Sequence, residues 1–191
     1  GLAVYLIETP RRARRNGFDA VHILPLSATP PYRLGHLLPH DPAAWRACSG
    51  QGTCTLAFND PQSFWLLGRG WATPETWGRW NLGPQSTLDL YTQAGVPYEL
   101  QIEAFPLETG DTCPQTLRLW WNDHYVGERA FTDCDSQTLH FTIEGQWVRA
   151  RNHLAFAYDR VYDPETAADP LSGETRPLAV GFIALRLTPA P

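Results

Sequence analysis

Tryptophan is the residue type in this sequence with the clearest capacity for ligand chemistry. Eight tryptophans occur, with a dense group between residues 65 and 80 and an adjacent pair, Trp120 and Trp121. Neighbouring strand residues point to opposite faces, so one of this pair should be core and the other outward. An outward indole can stack on the apolar face of a sugar ring, whereas a buried one packs in the core or caps it. The candidate ligand-binding residues are therefore Trp77, Arg79, Trp80 and Trp120, with core packing as the alternative for each tryptophan.

Catalytic motifs are absent from the sequence. It contains no G-x-S-x-G nucleophile elbow, no G-K-[ST] phosphate loop and no H-E-x-x-H metal motif. A hydrolase or lyase would need a converging cluster drawn from the following residues: Glu75, Asp89, Glu103, Arg118 and His140. No motif supports that cluster, so the sequence predicts no catalytic residue.

One loop is rich enough in acidic residues to suggest a metal. Between Tyr158 and Arg176 it carries these carboxylates: Asp159, Asp163, Glu165, Asp169 and Glu174. Oxygen-rich loops of this kind can hold a structural Ca²⁺ ion. The spacing fits no defined ligand pattern, however, and a solvated loop is the alternative. We therefore assign no metal ligand and no cofactor, and keep calcium only as a structural option.

The four cysteines favour two disulfides. Cys48 and Cys54 flank a short glycine-containing loop, and Cys113 and Cys134 flank two predicted strands, residues 116–121 and 125–131. Folding those strands as a hairpin around Asn122-Asp123 brings Cys113 and Cys134 together at its open end. The closely spaced cysteine pairs typical of zinc sites do not occur. Disulfides indicate an oxidising compartment, which is periplasmic, cell-surface or secreted.

Composition and length predict an ordered protein with one main domain. The chain has 191 residues, is 43% hydrophobic and has a formal net charge of −5. This charge argues against a nucleic-acid partner, and no apolar run is long enough to cross a membrane. Prolines at positions 25, 30, 31, 39 and 42 forbid long helices in the first part. We expect a proline-rich arm at residues 1–60 and a folded domain at residues 61–191.

From residue 63 onward the hydrophobic pattern has a period of two. Residues Leu88–Leu90, Tyr98–Ala104, Leu139–Ile143 and Leu154–Tyr158 alternate apolar and mostly polar side chains, and residues 177–187 are apolar on both faces. Such strands, separated by turn residues and without amphipathic helices, are typical of an antiparallel β-sandwich. The strand number suits a jelly roll. The predicted fold class is all-β, an antiparallel jelly-roll-like β-sandwich with a proline-rich N-terminal arm.

Three segments resemble the motifs of a known domain. Residues 70–83 read G-W-A-T-P-E-T-W-G-R-W-N-L-G, residues 119–127 read L-W-W-N-D-H-Y-V-G, and residues 176–185 read R-P-L-A-V-G-F-I-A-L. In this order they resemble an uncharacterised C-terminal extracytoplasmic β-sandwich domain of bacterial membrane glycosyltransferases and phosphoglycerol-transferase-like envelope proteins. The resemblance covers about residues 63–188. Glu174 stands where that pattern has aspartate, and the paired cysteines are not part of it.

The resemblance implies a function without catalysis. This would be an extracytoplasmic accessory or carbohydrate-binding module of a membrane-bound cell-envelope glycosyltransferase. Its partner would be a membrane protein or the membrane-spanning part of the same polypeptide. A glycan would be a further partner. Residues 2–7 would be either the last turn of a transmembrane helix or an added strand. The alternative is a structural or interaction subunit of a membrane-associated complex that binds no small ligand.

The first motif also permits a purely structural interpretation. Glu75 could pair with Arg79 across the tryptophan-rich turn, or with Arg176 when the last strand docks beside the first motif. Both pairings remain open from the sequence, and Glu75 and Arg176 are assigned structural roles.

Overall fold

A computed structural model gives the architecture of the chain. It describes residues 23–25, 35–37, 52–60, 63–64, 66–108, 113–165, 171 and 174–190. The chain divides into two compact units, Gly1–Ala43 and Ala44–Pro191. In the first unit, β1 (Ile23–Pro25) and β2 (Gly35–Leu37) form an antiparallel ladder. The rest of the predicted proline-rich arm lies mostly outside the described residues.

In the second unit, the regular elements of the described residues are strands and short 3-10 turns. Its strands are β3 (Cys54–Ala57), β4 (Arg79–Trp80), β5 (Gln85–Tyr91), β6 (Tyr98–Pro106), β7 (Thr116–Trp121), β8 (His124–Ala130), β9 (Gln137–Ile143), β10 (Arg151–Tyr158) and β11 (Val180–Pro189). A four-stranded sheet has the order β5-β10-β7-β8, and a five-stranded sheet has the order β3-β11-β6-β9 with β4 also on β11. Over the described residues, no helix has the length and hydropathy needed to cross a membrane.

The two sheets bury alternate side chains of most strands between them, whereas β8 has no buried residue. In β6 the buried residues are Tyr98, Leu100, Ile102 and Ala104, and β9 and β10 alternate in the same way. From β5 to β11 the chain passes back and forth between the sheets, and every pairing is antiparallel. The prediction of an antiparallel jelly-roll-like β-sandwich is confirmed.

The boundary expected at residue 60 falls inside the sandwich. Strand β3, which the sequence analysis placed in the arm, pairs with β11 from Ala57↔Ala184 to Cys54↔Leu187. Its side chains Cys54 and Leu56 are buried in the core. The sandwich therefore includes residues before 60. The sequence analysis missed this strand because four residues give too short an alternation to be recognised.

The predicted hairpin and its disulfide are present. Strands β7 and β8 are joined at Asn122 and Asp123, whose φ angles of 49° and 69° are those of a tight type I′ turn. A disulfide joins Cys113 to Cys134 at the open end of this hairpin, with a Cα–Cα distance of 5.3 Å. The proposed Cys48–Cys54 pairing stays a prediction, since Cys48 lies outside the described residues.

A buried asparagine fixes the closed end of the hairpin. Asn152 in β10 is fully buried. Its Oδ1 accepts hydrogen bonds from Trp121 Nε1 (3.0 Å), Asn122 Nδ2 (2.8 Å) and the backbone N–H of Arg149 (2.8 Å). Its Nδ2 donates to Thr92 Oγ1 (2.9 Å) and to the carbonyl of Arg149 (2.7 Å). One side chain thus satisfies polar groups from the hairpin, from the segment before β10 and from the residue after β5.

Replacing this asparagine should cost much of the stability of the sandwich. The variant N152A leaves the buried Trp121 N–H and the Asn122 amide without their acceptor, so we expect a loss of about 3 kcal/mol in the free energy of unfolding. Chemical denaturation monitored by tryptophan fluorescence measures this loss. The control N59A removes an exposed asparagine that donates to the Thr76 carbonyl, and should cost less than about 1 kcal/mol. Equal stability of N152A and wild type would contradict this role.

Candidate functional site

An aromatic pair lies on the outer face of the four-stranded sheet. In β7, Leu119 and Trp121 are fully buried, so the intervening Trp120 projects outward and is partly exposed. Tyr125 is its register partner in β8, and the two ring centroids are 5.3 Å apart with the ring planes tilted by 54°. Tyr125 is 50% exposed, unusually high for a large aromatic residue. Trp120 and Tyr125 together are called the aromatic platform below.

Small residues border the platform on the side away from Tyr125. Ala155 in β10 is the register partner of Trp120, and Thr87 in β5 follows next in the same row. Thr87 is buried, with its carbonyl accepting from Trp71 Nε1 at 2.7 Å. The alanine side chain ends at Cβ, so only a small group borders the Trp120 indole on β10. Beyond it the row is covered, because Thr87 Oγ1 accepts a hydrogen bond from the backbone N–H of Arg69 at 3.1 Å.

One border of the platform is formed by an arginine that holds two carboxylates. Arg118, two residues before Trp120 on the same face of β7, donates from Nε to Glu128 Oε2 at 3.0 Å and from Nη1 to Asp159 Oδ1. Hydrogen bonds to Glu128 and then to Asp159 raise the pKa of Arg118. Tyr125 also donates its hydroxyl to Glu128, at 3.4 Å. This border therefore presents fixed oxygen acceptors beside the aromatic rings.

The opposite border is centred on an aspartate. Asp89 in β5 accepts from Arg151 Nη2 at 2.7 Å and contacts His153 Nδ1 at 2.8 Å, both from β10. The hydrogen bond to Asp89 raises the pKa of Arg151. The His153 side chain is 52% exposed, and its backbone N–H donates to Asn122 Oδ1 at 2.8 Å. Polar groups able to bind hydroxyls thus flank the aromatic platform on both sides.

The other predicted tryptophans form a packed cluster on the five-stranded sheet. The Trp77 ring lies 4.8 Å from Phe105 and 5.3 Å from Trp80, centroid to centroid. All three partly exposed rings gather over Gly181, where a Cβ atom would come within 2.6 Å of Phe105 Cζ and 2.9 Å of Trp77 Cη2. Trp77 Nε1 donates to Glu75 at 3.0 Å. These rings pack on one another and on a glycine, which is chiefly a structural arrangement.

Arg79 has a structural position, which corrects its assignment as a ligand-binding residue. The residue is only 3% exposed. Its Nε donates to the Phe58 carbonyl at 3.2 Å and its Nη1 to the Ala72 carbonyl at 2.8 Å. Burial lowers the pKa of Arg79 to about 10. Because these donors serve the backbone inside the protein, Arg79 joins the loops around β4 instead of meeting a surface ligand.

The first and last motifs of the sequence meet through an ion-pair network. Arg176 donates from Nη1 to Glu75 Oε1 at 3.2 Å and from Nη2 to Glu174 Oε2 at 2.7 Å. Of the two pairings left open for Glu75, the one with Arg176 is formed. The side-chain hydrogen bond from Arg176 lowers the pKa of Glu174 to about 2. The network holds the segment before β11 against the turn before β4.

The residues considered for carboxylate catalysis do not converge. Asp89 and Arg118 lie on the outer face of the four-stranded sheet, whereas Glu103 and His140 are exposed on the other sheet. Glu75 belongs to the network with Arg176. The five side chains are thus divided between opposite surfaces of the sandwich, and a catalytic cluster drawn from them is not formed.

The acidic loop shows no metal centre in its described part. Asp159 pairs with Arg118, and Glu174 pairs with Arg176. Within the described ranges, no group of three or more His, Cys, Asp or Glu side chains is placed to hold a metal ion. Asp169 lies outside those ranges. The described residues therefore offer calcium no ligand set.

Sequence reasoning missed two residues of this region. Tyr125 was placed at the start of the second hairpin strand, and its pairing with Trp120 follows from the turn at Asn122-Asp123 combined with the bulge around Val126. Asn152 was missed because its polar side chain suggests a solvent-facing position. The alternation of β10 nevertheless places it on the buried face with Leu154, Phe156 and Tyr158.

The chain was also compared with known proteins. No family model matches it, and no curated protein sequence matches it. Matches do exist among solved structures, 51 chains in all. The CBM36-1 domain of a multidomain xylanase from the hindgut metagenome of Trinervitermes trinervoides is 6% identical, with 73% of this chain and 98% of that chain covered and a TM-score of 0.47.

Two further matches have similar values. A carbohydrate-binding module CBM36, solved in complex with calcium and xylotriose, is 8% identical, with 70% of this chain and 98% of that chain covered and a TM-score of 0.43. The C-terminal CBM6 of LamC from Zobellia galactanivorans is 9% identical, with 71% and 98% covered and a TM-score of 0.44. At these TM-scores the likeness carries no argument, and the function is argued from the residues themselves.

The Glu174–Arg176 pair should make the sandwich sensitive to acid. The folded-state pKa of Glu174 is about 2, below its ordinary value of 4.5, so its stabilising effect is complete above about pH 4.5 and is lost as the pH falls towards 2. Arg176 is 34% exposed and water screens the pair, so we expect an effect of about 1 kcal/mol. Denaturation at pH 7, 4 and 2.5 should show that E174Q loses less stability on acidification than wild type.

The matched control for this experiment is E108Q, which changes an exposed glutamate elsewhere on the domain. It should follow the wild-type pH dependence. Identical acid sensitivity of E174Q and wild type would show that the pair contributes nothing to stability.

Proposed function

We propose that this protein is a non-catalytic carbohydrate-binding β-sandwich whose ligand stacks on Trp120 and Tyr125. The observation that carries the proposal is the exposed aromatic platform, bordered on both sides by fixed hydrogen-bonding groups. Folding places this pair on the sheet surface with Tyr125 half exposed, although burial of both rings would stabilise the protein. An exposed aromatic surface rimmed by polar residues is typical of a binding site.

The chemistry of the platform fits a sugar. The face of an aromatic ring carries partial negative charge, which attracts the polarised C–H groups on the flat side of a pyranose. Sugar hydroxyls at the ring edge then need acceptors and donors nearby, and Asp159, Glu128 and Asp89 supply oxygen atoms already held by arginines. A site with an aromatic floor and a few fixed polar groups is the usual design for small polar ligands.

Catalysis is not part of the proposal. The carboxylates nearest the platform are each engaged by a guanidinium, so none is a free acid poised to donate a proton. The remaining acidic candidates lie on the other sheet or in the Arg176 network. The arrangement supports recognition of a glycan without bond cleavage.

We further propose that the domain serves a membrane-bound cell-envelope glycosyltransferase. The motif resemblance supports this, and so does the contact of Glu75 with Arg176, which joins the first and last resembling segments. The Cys113–Cys134 disulfide indicates an oxidising, extracytoplasmic compartment. On this proposal the domain presents glycan to the enzyme or anchors the enzyme to it.

Removal of the platform indole should abolish glycan binding. We expect W120A to lose detectable affinity, because it removes both the stacking contribution and the apolar area of the ring. W120F keeps a smaller ring, so we expect a loss of about 1 kcal/mol, which is about fivefold in affinity. A glycan array followed by isothermal titration calorimetry measures this. The control T138A changes an exposed residue of β9 on the other sheet and should bind like wild type.

The alternative role, a structural subunit without a small ligand, predicts that the wild type binds no glycan on the array. Binding that survives in W120A would place the site elsewhere on the sandwich and overturn the platform assignment.

The membrane context has a separate test. In cells of the source organism, antibodies against the sandwich should find the native protein in the membrane fraction, because its partner spans the membrane. Fractionation with and without high salt distinguishes an integral partner from surface adsorption. Recovery of the protein entirely in the soluble extracytoplasmic fraction would contradict the membrane proposal while leaving glycan binding intact.

A further inference from the structure

We infer that the platform selects neutral glycans and rejects acidic ones, because its arginines are neutralised by carboxylates within the site. This inference rests on the proposed function, and names the substrate class of the same surface. It follows from the charges of the residues that border Trp120 and Tyr125, which are Asp89, Arg118, Glu128, Arg151 and Asp159.

Each guanidinium group of the site is paired with a carboxylate. Arg118 uses Nε for Glu128 and Nη1 for Asp159, so two carboxylates share one positive charge. Arg151, whose side chain is 61% exposed, directs its Nη2 at Asp89. Strong recognition of a uronic acid or a sulfate ester uses an arginine whose charge is not already balanced. An incoming anion would have to compete with these carboxylates for the positive charge of the arginines.

The charge balance of the borders is also unfavourable for an anion. The border residues comprise three carboxylates and two guanidiniums, which gives a formal charge of −1 beside the aromatic rings. His153 contacts the same aspartate as Arg151. The whole chain has a formal charge of −5, so acidic polysaccharides are repelled on approach as well.

The same carboxylates suit a neutral sugar. A carboxylate oxygen accepts hydrogen bonds strongly, and each arginine fixes its partner in place before the ligand arrives, which lowers the entropic cost of binding. The Trp120 indole is partly exposed and borders only an alanine on β10, so it can stack on the apolar side of a pyranose. Recognition then depends on stacking and on neutral hydroxyls, and should respond weakly to salt.

The decisive variant frees Arg118 and leaves both aromatic residues of the platform in the sequence. E128Q/D159N removes both carboxylate partners of Arg118 beside Trp120 and changes the border charge from −1 to +1. The matched control E103Q/E108Q removes two exposed glutamates that are not among the border residues, and so changes the net charge equally. Both variants are checked for folding by their thermal transitions.

The experiment measures binding of neutral hexasaccharides of glucose, mannose and galactose, and of hexagalacturonate, by calorimetry at low and high salt. Binding of each hexasaccharide to W120A is measured in the same way. We expect wild type to bind a neutral hexasaccharide at least about tenfold more tightly than hexagalacturonate, with affinity that changes less than about twofold with salt. E128Q/D159N should gain salt-sensitive affinity for hexagalacturonate, and E103Q/E108Q should not.

The outcomes separate this inference from the proposed function. Preferential, Trp120-dependent binding of hexagalacturonate by wild type would overturn the neutral selectivity and leave the platform as the glycan site. An equal gain of hexagalacturonate binding in the two charge variants would likewise overturn it, because net charge and not Arg118 would then be responsible. Absence of binding to every hexasaccharide would overturn both the inference and the proposed function.

Discussion

The hydrogen bond between the buried indole of Trp121 and Asn152 is the constraint on which the functional surface depends. It holds one of two adjacent tryptophans inside the core, at 3.0 Å from a fully buried amide. Because successive strand residues face opposite sides, Trp120 must then point outward. A one-residue slip of β7 would reverse the two and bury the platform. The same amide also binds Asn122, so the turn that sets the position of Tyr125 is fixed by the same contact.

The two aromatic surfaces differ in how their rings are used. Around Gly181, the rings of Trp77, Trp80 and Phe105 pack on one another, and the Trp77 N–H donates a hydrogen bond to Glu75. At the platform, Trp120 contacts one aromatic ring among the described residues, that of Tyr125, and borders an alanine. In the first cluster the rings pack on one another and closely over Gly181, and this packing stabilises the fold. The second leaves aromatic area available, and this difference directs the functional proposal to Trp120.

Much of the sandwich could be predicted from the sequence because alternation survives wherever one face is buried. The strand at Tyr98–Ala104, the Asn122-Asp123 turn and the Cys113–Cys134 disulfide all follow from local pattern and turn chemistry. Arg79 was misjudged because a charged residue is normally exposed, and only the loops around Phe58 and Ala72 supply the carbonyls that permit its burial. The inward position of Asn152 follows the alternation of β10, but its hydrogen-bond partner Trp121 lies 31 residues away in the chain. Such long-range pairing cannot be predicted from a local pattern.

Stacking of a sugar on Trp120, with Trp121 still buried, can be followed through the indole N–H resonances. The chain contains eight tryptophans, and a ¹H–¹⁵N spectrum separates their side-chain signals during titration with a neutral hexasaccharide. We expect a saturable change in the indole N–H chemical shift of Trp120, and no change in the indole N–H shifts of Trp121, Trp77 and Trp80. Shifts confined to Trp77 and Trp80, or no indole shift at a ligand concentration that saturates binding, would contradict it.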